Sequence, residues 1–236
     1  MRTLEMSQRW MNRGTELFTA ALDEVSDEQL TQPIALTGWT GKHLLAHLAN
    51  NAEALGNLVE WARTGVETRM YSSNDQRAAD IESGAQRSVA ELRQRYAESA
   101  ATLASSLDGL SEQEWEAAIR TNADRQVQAT EIPWMRAREV MVHTVDLGGR
   151  TFADLPVAFL GALIDDVVAK RAKDGTPALE ILSRNTGESW RIEGGGEMLR
   201  VMANIEDLTA WLTGRSGGEG VKVLGPGELP ELPAWL

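Results

Sequence analysis

Apolar side chains return every three or four residues through the first two-thirds of this 236-residue chain, and the pattern changes near residue 152. That period describes amphipathic helices, each of which must bury one face against another. Trp10, Gly14, Leu17, Phe18, Ala21, Leu22 and Val25 recur at this spacing. Thr40 stands where an N-cap belongs, just ahead of KHLLAHLANNAEALGNLVEWA, in which Leu44, Leu48, Ala52, Leu55 and Val59 lie along one side. Ser26 with Gln29, and Ser111 with Glu114, have capping-box spacing. Residues 63–75 read as loop, about 75–108 as one long helix weakest at Gly84, and 120–131 as a loop or short hairpin. Pro133 is placed to open a further helix through WMRAREVMVHTVDL, which should stop at Gly148-Gly149. Four substantial helices with short links predict a helical bundle over residues 1–152.

The remainder, residues 153–236, reads as a small α+β domain. A helix at about 156–172 precedes the turn signal Asp174-Gly175-Thr176-Pro177. LEILSR, SWRIE and EMLRVMA then read as short strands, separated by Asn185-Thr186-Gly187 and by Gly194-Gly195-Gly196. The triple glycine is expected to be a hairpin turn, because no Gly-Lys-Ser/Thr follows to make a phosphate loop. A last helix, NIEDLTAWLTGR, leads into a Gly- and Pro-rich tail. A domain this small is marginal alone and is expected to dock on the bundle.

Charge and cysteine content narrow the chemistry. Lys plus Arg number 23 and Asp plus Glu 35, a formal charge of −12, which disfavours general binding to nucleic acid or to an anionic membrane. The chain has no cysteine, so disulfides, zinc ribbons, iron–sulfur clusters and a protein thiol nucleophile are excluded. The N-terminal stretch has no apolar signal-peptide core, and the apolar run Leu155–Val168 is interrupted by Asp165 and Asp166, so a cytoplasmic protein is expected.

Imidazole chemistry has only His43, His47 and His143 to draw on. Glu139 and His143 are four residues apart on a helix and so share a face, where they can hold one divalent ion or form a solvated surface pair. His47 shares its helix face with Leu44, Asn51 and Leu58 and points inward, where an imidazole needs polar partners. Two helices with inward histidines, one also carrying a glutamate, make a His₂Glu set with a coordination position left for water or substrate. His43 is either a rival ligand or a helix N-terminal residue with no metal role. Arg136 and Arg138 are expected to be solvated or paired with carboxylates. Arg77 follows the loop containing Tyr71. Arg215 is either a clamp for a carboxylate or a cation stabilised at a helix C-terminus.

The segments GWTGKHLLAHLANNAEALGNLVEWARTG, IPWMRAREVMVHTVDLGG and PELPAWL resemble the mycothiol-dependent maleylpyruvate isomerases, a group within the DinB-like metalloenzyme superfamily of four-helix bundles. The likeness covers nearly the whole chain. It is carried by the GWT…HL…HLA…NA block, by Arg136-x-x-Glu139-x-x-x-His143, and by Trp61, Gly65, Tyr71 and the tail. The resemblance implies that His47, Glu139 and His143 bind a divalent metal, normally zinc, and that Arg77 and Arg215 could bind substrate carboxylates. It implies a cis–trans isomerase that converts maleylpyruvate to fumarylpyruvate with mycothiol as cofactor, in gentisate breakdown in an actinobacterial cytoplasm. Partners would be the small-molecule substrate and mycothiol, and a monomer is plausible. Two alternatives are a mycothiol S-transferase acting on another electrophile and a non-catalytic protein that binds metal or a small molecule.

Overall fold

The structure is a computed structural model that describes residues 2–173, 175–232 and 235. Asp174 of the turn signal, and Pro233, Ala234 and Leu236 of the PELPAWL tail, lie outside the described residues. The chain divides into two compact units, residues 1–149 and 150–236.

The first unit runs α1 (Leu4–Glu24), α2 (Asp27–Leu30), α3 (Gly41–Thr64), α4 (Asn74–Gly84), α5 (Val89–Asp108), α6 (Glu112–Trp115), β1 (Ala118–Arg120), β2 (Gln126–Gln128) and α7 (Ile132–Asp146). Its long helices α1, α3, α5 and α7 form the bundle, with α7 packed on α1 and α3, and α3 on α5. Phe18, Leu22, Leu44, Leu48, Leu92, Tyr96 and Val140 meet in the apolar core that these helices share. Removing each such side chain from water contributes roughly 1.5–3 kcal/mol.

One long helix over about 75–108 was expected, and two are observed. The start signal sits inside the run: the Ser88 hydroxyl accepts from the Glu91 N–H, and the Glu91 carboxylate accepts from the Ser88 N–H at 2.8 Å. This reciprocal cap favours a new helix at Val89 over continuation through residues 85–88. The capping boxes at Ser26 and Ser111 form as expected. An antiparallel hairpin of β1 and β2 starts just ahead of the polar stretch at 120–131, with Ile119 opposite Val127, and leads by a 3-10 turn into α7.

The second unit runs α8 (Val157–Arg171), β3 (Leu179–Ser183), β4 (Ser189–Ile192), β5 (Leu199–Ala203), α9 (Ile205–Leu212) and β6 (Lys222–Val223). The sheet order is β4-β3-β5-β6. β3 pairs antiparallel with β4 and parallel with β5, so β4 and β5 are not neighbours. The triple glycine is therefore not a hairpin turn but a crossover that carries the chain from one side of β3 to the other. Gly194 permits the passage, since a Cβ there would come within 2.1 Å of the Thr176 carbonyl oxygen. β6 lies in the Gly-rich tail, where the short alternating run Val221-Lys222-Val223 between glycines was overlooked as a strand. No helix among the described residues is long and apolar enough to cross a membrane.

The contact between α1 and α7 is close at Gly14. A Cβ there would lie 2.5 Å from Val140 Cγ2 and 2.9 Å from Met141 Cγ. Gly14→Val should therefore destabilise the protein by about 2–3 kcal/mol, because overpacking outweighs the gain in helix propensity. A lower urea midpoint with an unchanged slope is the expected reading, and an unchanged midpoint would show that α1 and α7 are not in tight contact there.

Candidate metal centre

His47 is supplied by the second turn of α3, and Glu139 and His143 by successive turns of α7. The apolar faces of both helices are buried, and this brings the three side chains together inside the first unit. His47 and His143 are 2% and 4% exposed. One carboxylate oxygen of Glu139 lies 2.9 Å from His47 Nε2 and 3.3 Å from His143 Nε2. The two rings meet edge to face with centroids 4.9 Å apart. Among the described residues, this trio is the group of His, Cys, Asp or Glu side chains close enough to hold a metal ion.

Further side chains orient the trio. Asp146 is buried one turn beyond His143, and its carboxylate lies 2.8 Å from His143 Nδ1. With carboxylates at both nitrogens, the ring is fixed in orientation, which is how second partners commonly hold metal-binding histidines. Arg77 Nη2 lies 3.3 Å from His47 Nδ1. Since a guanidinium can only donate, Nδ1 accepts and Nε2–H donates to Glu139. The Arg77 guanidinium also lies over the Tyr71 ring at 5.7 Å, and the Trp39 ring lies 5.4 Å from that of His47.

The electrostatics follow from burial and pairing. Burial is the largest influence on His47 and lowers its pKa, despite the Glu139 bond. Burial also acts to lower that of His143, but hydrogen bonds to Asp146 and Glu139 outweigh it and the pKa is raised. Burial alone would raise Glu139, yet bonds and charge from His143 and His47 hold it well below the ordinary carboxylate range. The result is an ionised carboxylate between two imidazoles.

This donor set fits a divalent ion. Zinc bonds of about 2.0–2.2 Å in a tetrahedron separate donor atoms by about 3.3–3.6 Å, and the two carboxylate–imidazole distances, 2.9 and 3.3 Å, approach that spacing.

The remaining candidates fall elsewhere. His43 serves the start of α3, because its Nδ1 accepts from the Thr40 N–H at 3.2 Å while Nε2 lies 3.5 Å from Glu82. Arg136 is not solvated and has no carboxylate within ion-pair distance among the described residues. It is 1% exposed and donates from Nη1 to the Leu48 carbonyl at 2.7 Å and to Asn51 Oδ1 at 2.9 Å. The Arg138 guanidinium lies over the Trp134 ring at 5.8 Å. Arg215 belongs to the second unit, where it donates to the Thr213 carbonyl at 2.8 Å beside the end of α9. Asp146 was missed from sequence, although its signal was the three-residue spacing in His143-Thr144-Val145-Asp146.

Residues 11–148 match the family described as the mycothiol maleylpyruvate isomerase N-terminal domain. The chain is similar to the crystal structure of the mycothiol-dependent maleylpyruvate isomerase, at 34% identity and a TM-score of 0.94 with all of both chains covered. A His-to-Ala mutant of that isomerase matches at 33% identity and a TM-score of 0.93, again over all of both chains. An uncharacterised protein from Clostridium difficile 630 shares the fold at 16% identity and a TM-score of 0.50, covering 62% of this chain and 94% of its own. No curated protein matched the chain. On the family match and the full-length likeness together, the chain belongs to the mycothiol maleylpyruvate isomerase family.

Proposed function

We propose that the protein is a cis–trans isomerase that converts maleylpyruvate to fumarylpyruvate, using mycothiol and a divalent metal, most plainly zinc, held by His47, Glu139 and His143. The observation that carries this reading is the buried His₂Glu cluster in a chain that matches the mycothiol-dependent maleylpyruvate isomerase from end to end. The chain has no cysteine, so the sulfur must come from mycothiol, and a cation in this site supplies the Lewis acidity that makes a thiol available as thiolate near neutral pH.

Isomerisation requires the conjugated double bond to become single, turn and re-form. The protein must therefore hold the substrate carboxylates and stabilise the negative charge that appears on the conjugated carbonyl. We assign this role to Arg77, a reading supported by its guanidinium beside His47 and against the Tyr71 ring. Arg215 is proposed for a second carboxylate, from its position in the family pattern. Asp146 fixes the His143 ring, and Trp39 packs against His47.

Purified metal-loaded protein, mycothiol and maleylpyruvate should give loss of substrate absorbance and a product of unchanged mass. A product heavier by the mass of the thiol would instead establish an S-transferase, and metal binding without turnover would establish a non-catalytic role.

His47→Ala should reduce bound metal to background and turnover by at least about 10³-fold, because two ligands cannot retain the ion. Full turnover in the metal-free variant would refute the site. Asp146→Ala should weaken metal affinity by about 10–100-fold, read by competition with a chelator.

Metal uptake should also release protons and weaken as pH falls from about 8 to 6, because the ligand nitrogens must be deprotonated and the pKa of His143 is raised. Affinity independent of pH over that range would count against His143 as a ligand.

A further inference from the structure

Arg77 rests on two supports. One is His47, whose Nδ1 lies 3.3 Å from Arg77 Nη2. The other is Tyr71, whose ring lies 5.7 Å from the guanidinium carbon and whose hydroxyl is hydrogen-bonded to Arg77 and to Asn51. A guanidinium only donates, so the phenol oxygen accepts from Arg77. Tyr71 is half-buried, and burial, the largest influence on the phenol, raises its pKa and keeps it neutral. Tyr71 is anchored in turn. Asn51 is held by Arg136 Nη1 at 2.9 Å, and Asn57 Nδ2 donates to the carbonyls of Arg69 and Met70, just before Tyr71, at 3.2 and 3.5 Å. Arg69 also pairs with Asp124, between β1 and β2, at 3.2 Å.

The two supports respond differently to a metal. Nε2 is the His47 nitrogen that faces Glu139. An imidazole that gives this nitrogen to a divalent ion carries its proton on the other, which then seeks an acceptor. Nδ1–H and the Arg77 N–H groups become two donors face to face, and the His47 contact no longer holds the guanidinium. The Tyr71 contacts are untouched by that change.

We propose that Tyr71 is a positioning residue, which keeps the Arg77 guanidinium in place for a substrate carboxylate when His47 is engaged by a metal. This inference rests on the proposed metal site and on the assignment of Arg77 to carboxylate binding.

Maleate, a small cis dicarboxylate, is the probe, titrated by calorimetry into the zinc-loaded protein. Arg77→Ala should weaken maleate at least about tenfold. Tyr71→Phe keeps the ring and loses the hydroxyl, and should weaken maleate about threefold or more with zinc content and urea midpoint unchanged. In the Arg77→Ala background Tyr71→Phe should have no further effect, because nothing is left for it to position. In turnover, Tyr71→Phe should raise KM for maleylpyruvate and leave KM for mycothiol unchanged. The Arg77 Nε–H resonance, assigned by its loss in Arg77→Ala, should be sharp in metal-free Tyr71→Phe and broaden when zinc is added, while staying sharp in the wild type. The proposal is overturned if Tyr71→Phe leaves maleate affinity unchanged, if it weakens maleate equally with and without Arg77, or if its Arg77 resonance stays sharp in zinc. A wild type that takes up no zinc, or full maleate affinity in Arg77→Ala, overturns the underlying reading of the site, and this inference with it.

Discussion

The first unit is organised around a carboxylate that cannot stand alone. Glu139 has only 19% of its side chain exposed and sits between two imidazoles contributed by α3 and α7. A buried charge stripped of its partner costs about 3–5 kcal/mol, so any slip of α3 against α7 is penalised far more than an apolar contact would penalise it. The apolar faces of these helices would tolerate several registers. The Glu139 bond to His47 crosses from α7 to α3 and tolerates one, and that same register brings the His47 nitrogen to the point that His143 already shares with Glu139.

Arg136 pins the same pair of helices one turn before Glu139. Its Nη1 reaches the carbonyl of Leu48, the residue after His47, and the side chain of Asn51. Two polar anchors on α7 thus bracket the segment of α3 that carries His47. Asp146 extends the series by one more turn, and its contact with His143 fixes the ring. Arg136, Glu139, His143 and Asp146 follow at spacings of three, four and three residues, a polar stripe inside an otherwise apolar interface. Gly14 lets α1 approach the flank of α7. The bundle therefore supports the cluster from three directions without a disulfide.

Features encoded locally were legible in the sequence. The capping boxes at Ser26 and Ser111 and the pairing of Glu139 with His143 each need only a few residues of context, and His47 could be placed inward from its own helix face. Features that depend on a distant backbone group were not. The burial of Arg136 is explained by a carbonyl 88 residues away, which no side-chain pattern announces. The parallel pairing of β3 with β5 depends on the crossover at Gly194, and two adjacent strand-like runs joined by glycines look the same as a hairpin. The start of α5 was a different failure. Ser88 and Glu91 did announce it, but strong helix formers on both sides hid the signal. His43 was ambiguous because an imidazole can take the place that glutamate usually fills in a capping box.

The charge of −12 and the absence of cysteine bear on function in opposite ways. Summed over the surface, the charge opposes an anionic substrate. The field that matters is local, however, and beside His47 it is set by the Arg77 guanidinium at a distance where screening by salt is weak. A net charge thus describes solubility better than it describes a site. The absence of cysteine looks like a loss of sulfur chemistry, yet it also means that no protein thiol competes for a soft divalent ion in the His₂Glu cluster. If the cluster holds a metal as proposed, three ligands of this kind would leave a position for an exogenous sulfur. A protein thiol near the cluster would then compete for that same position.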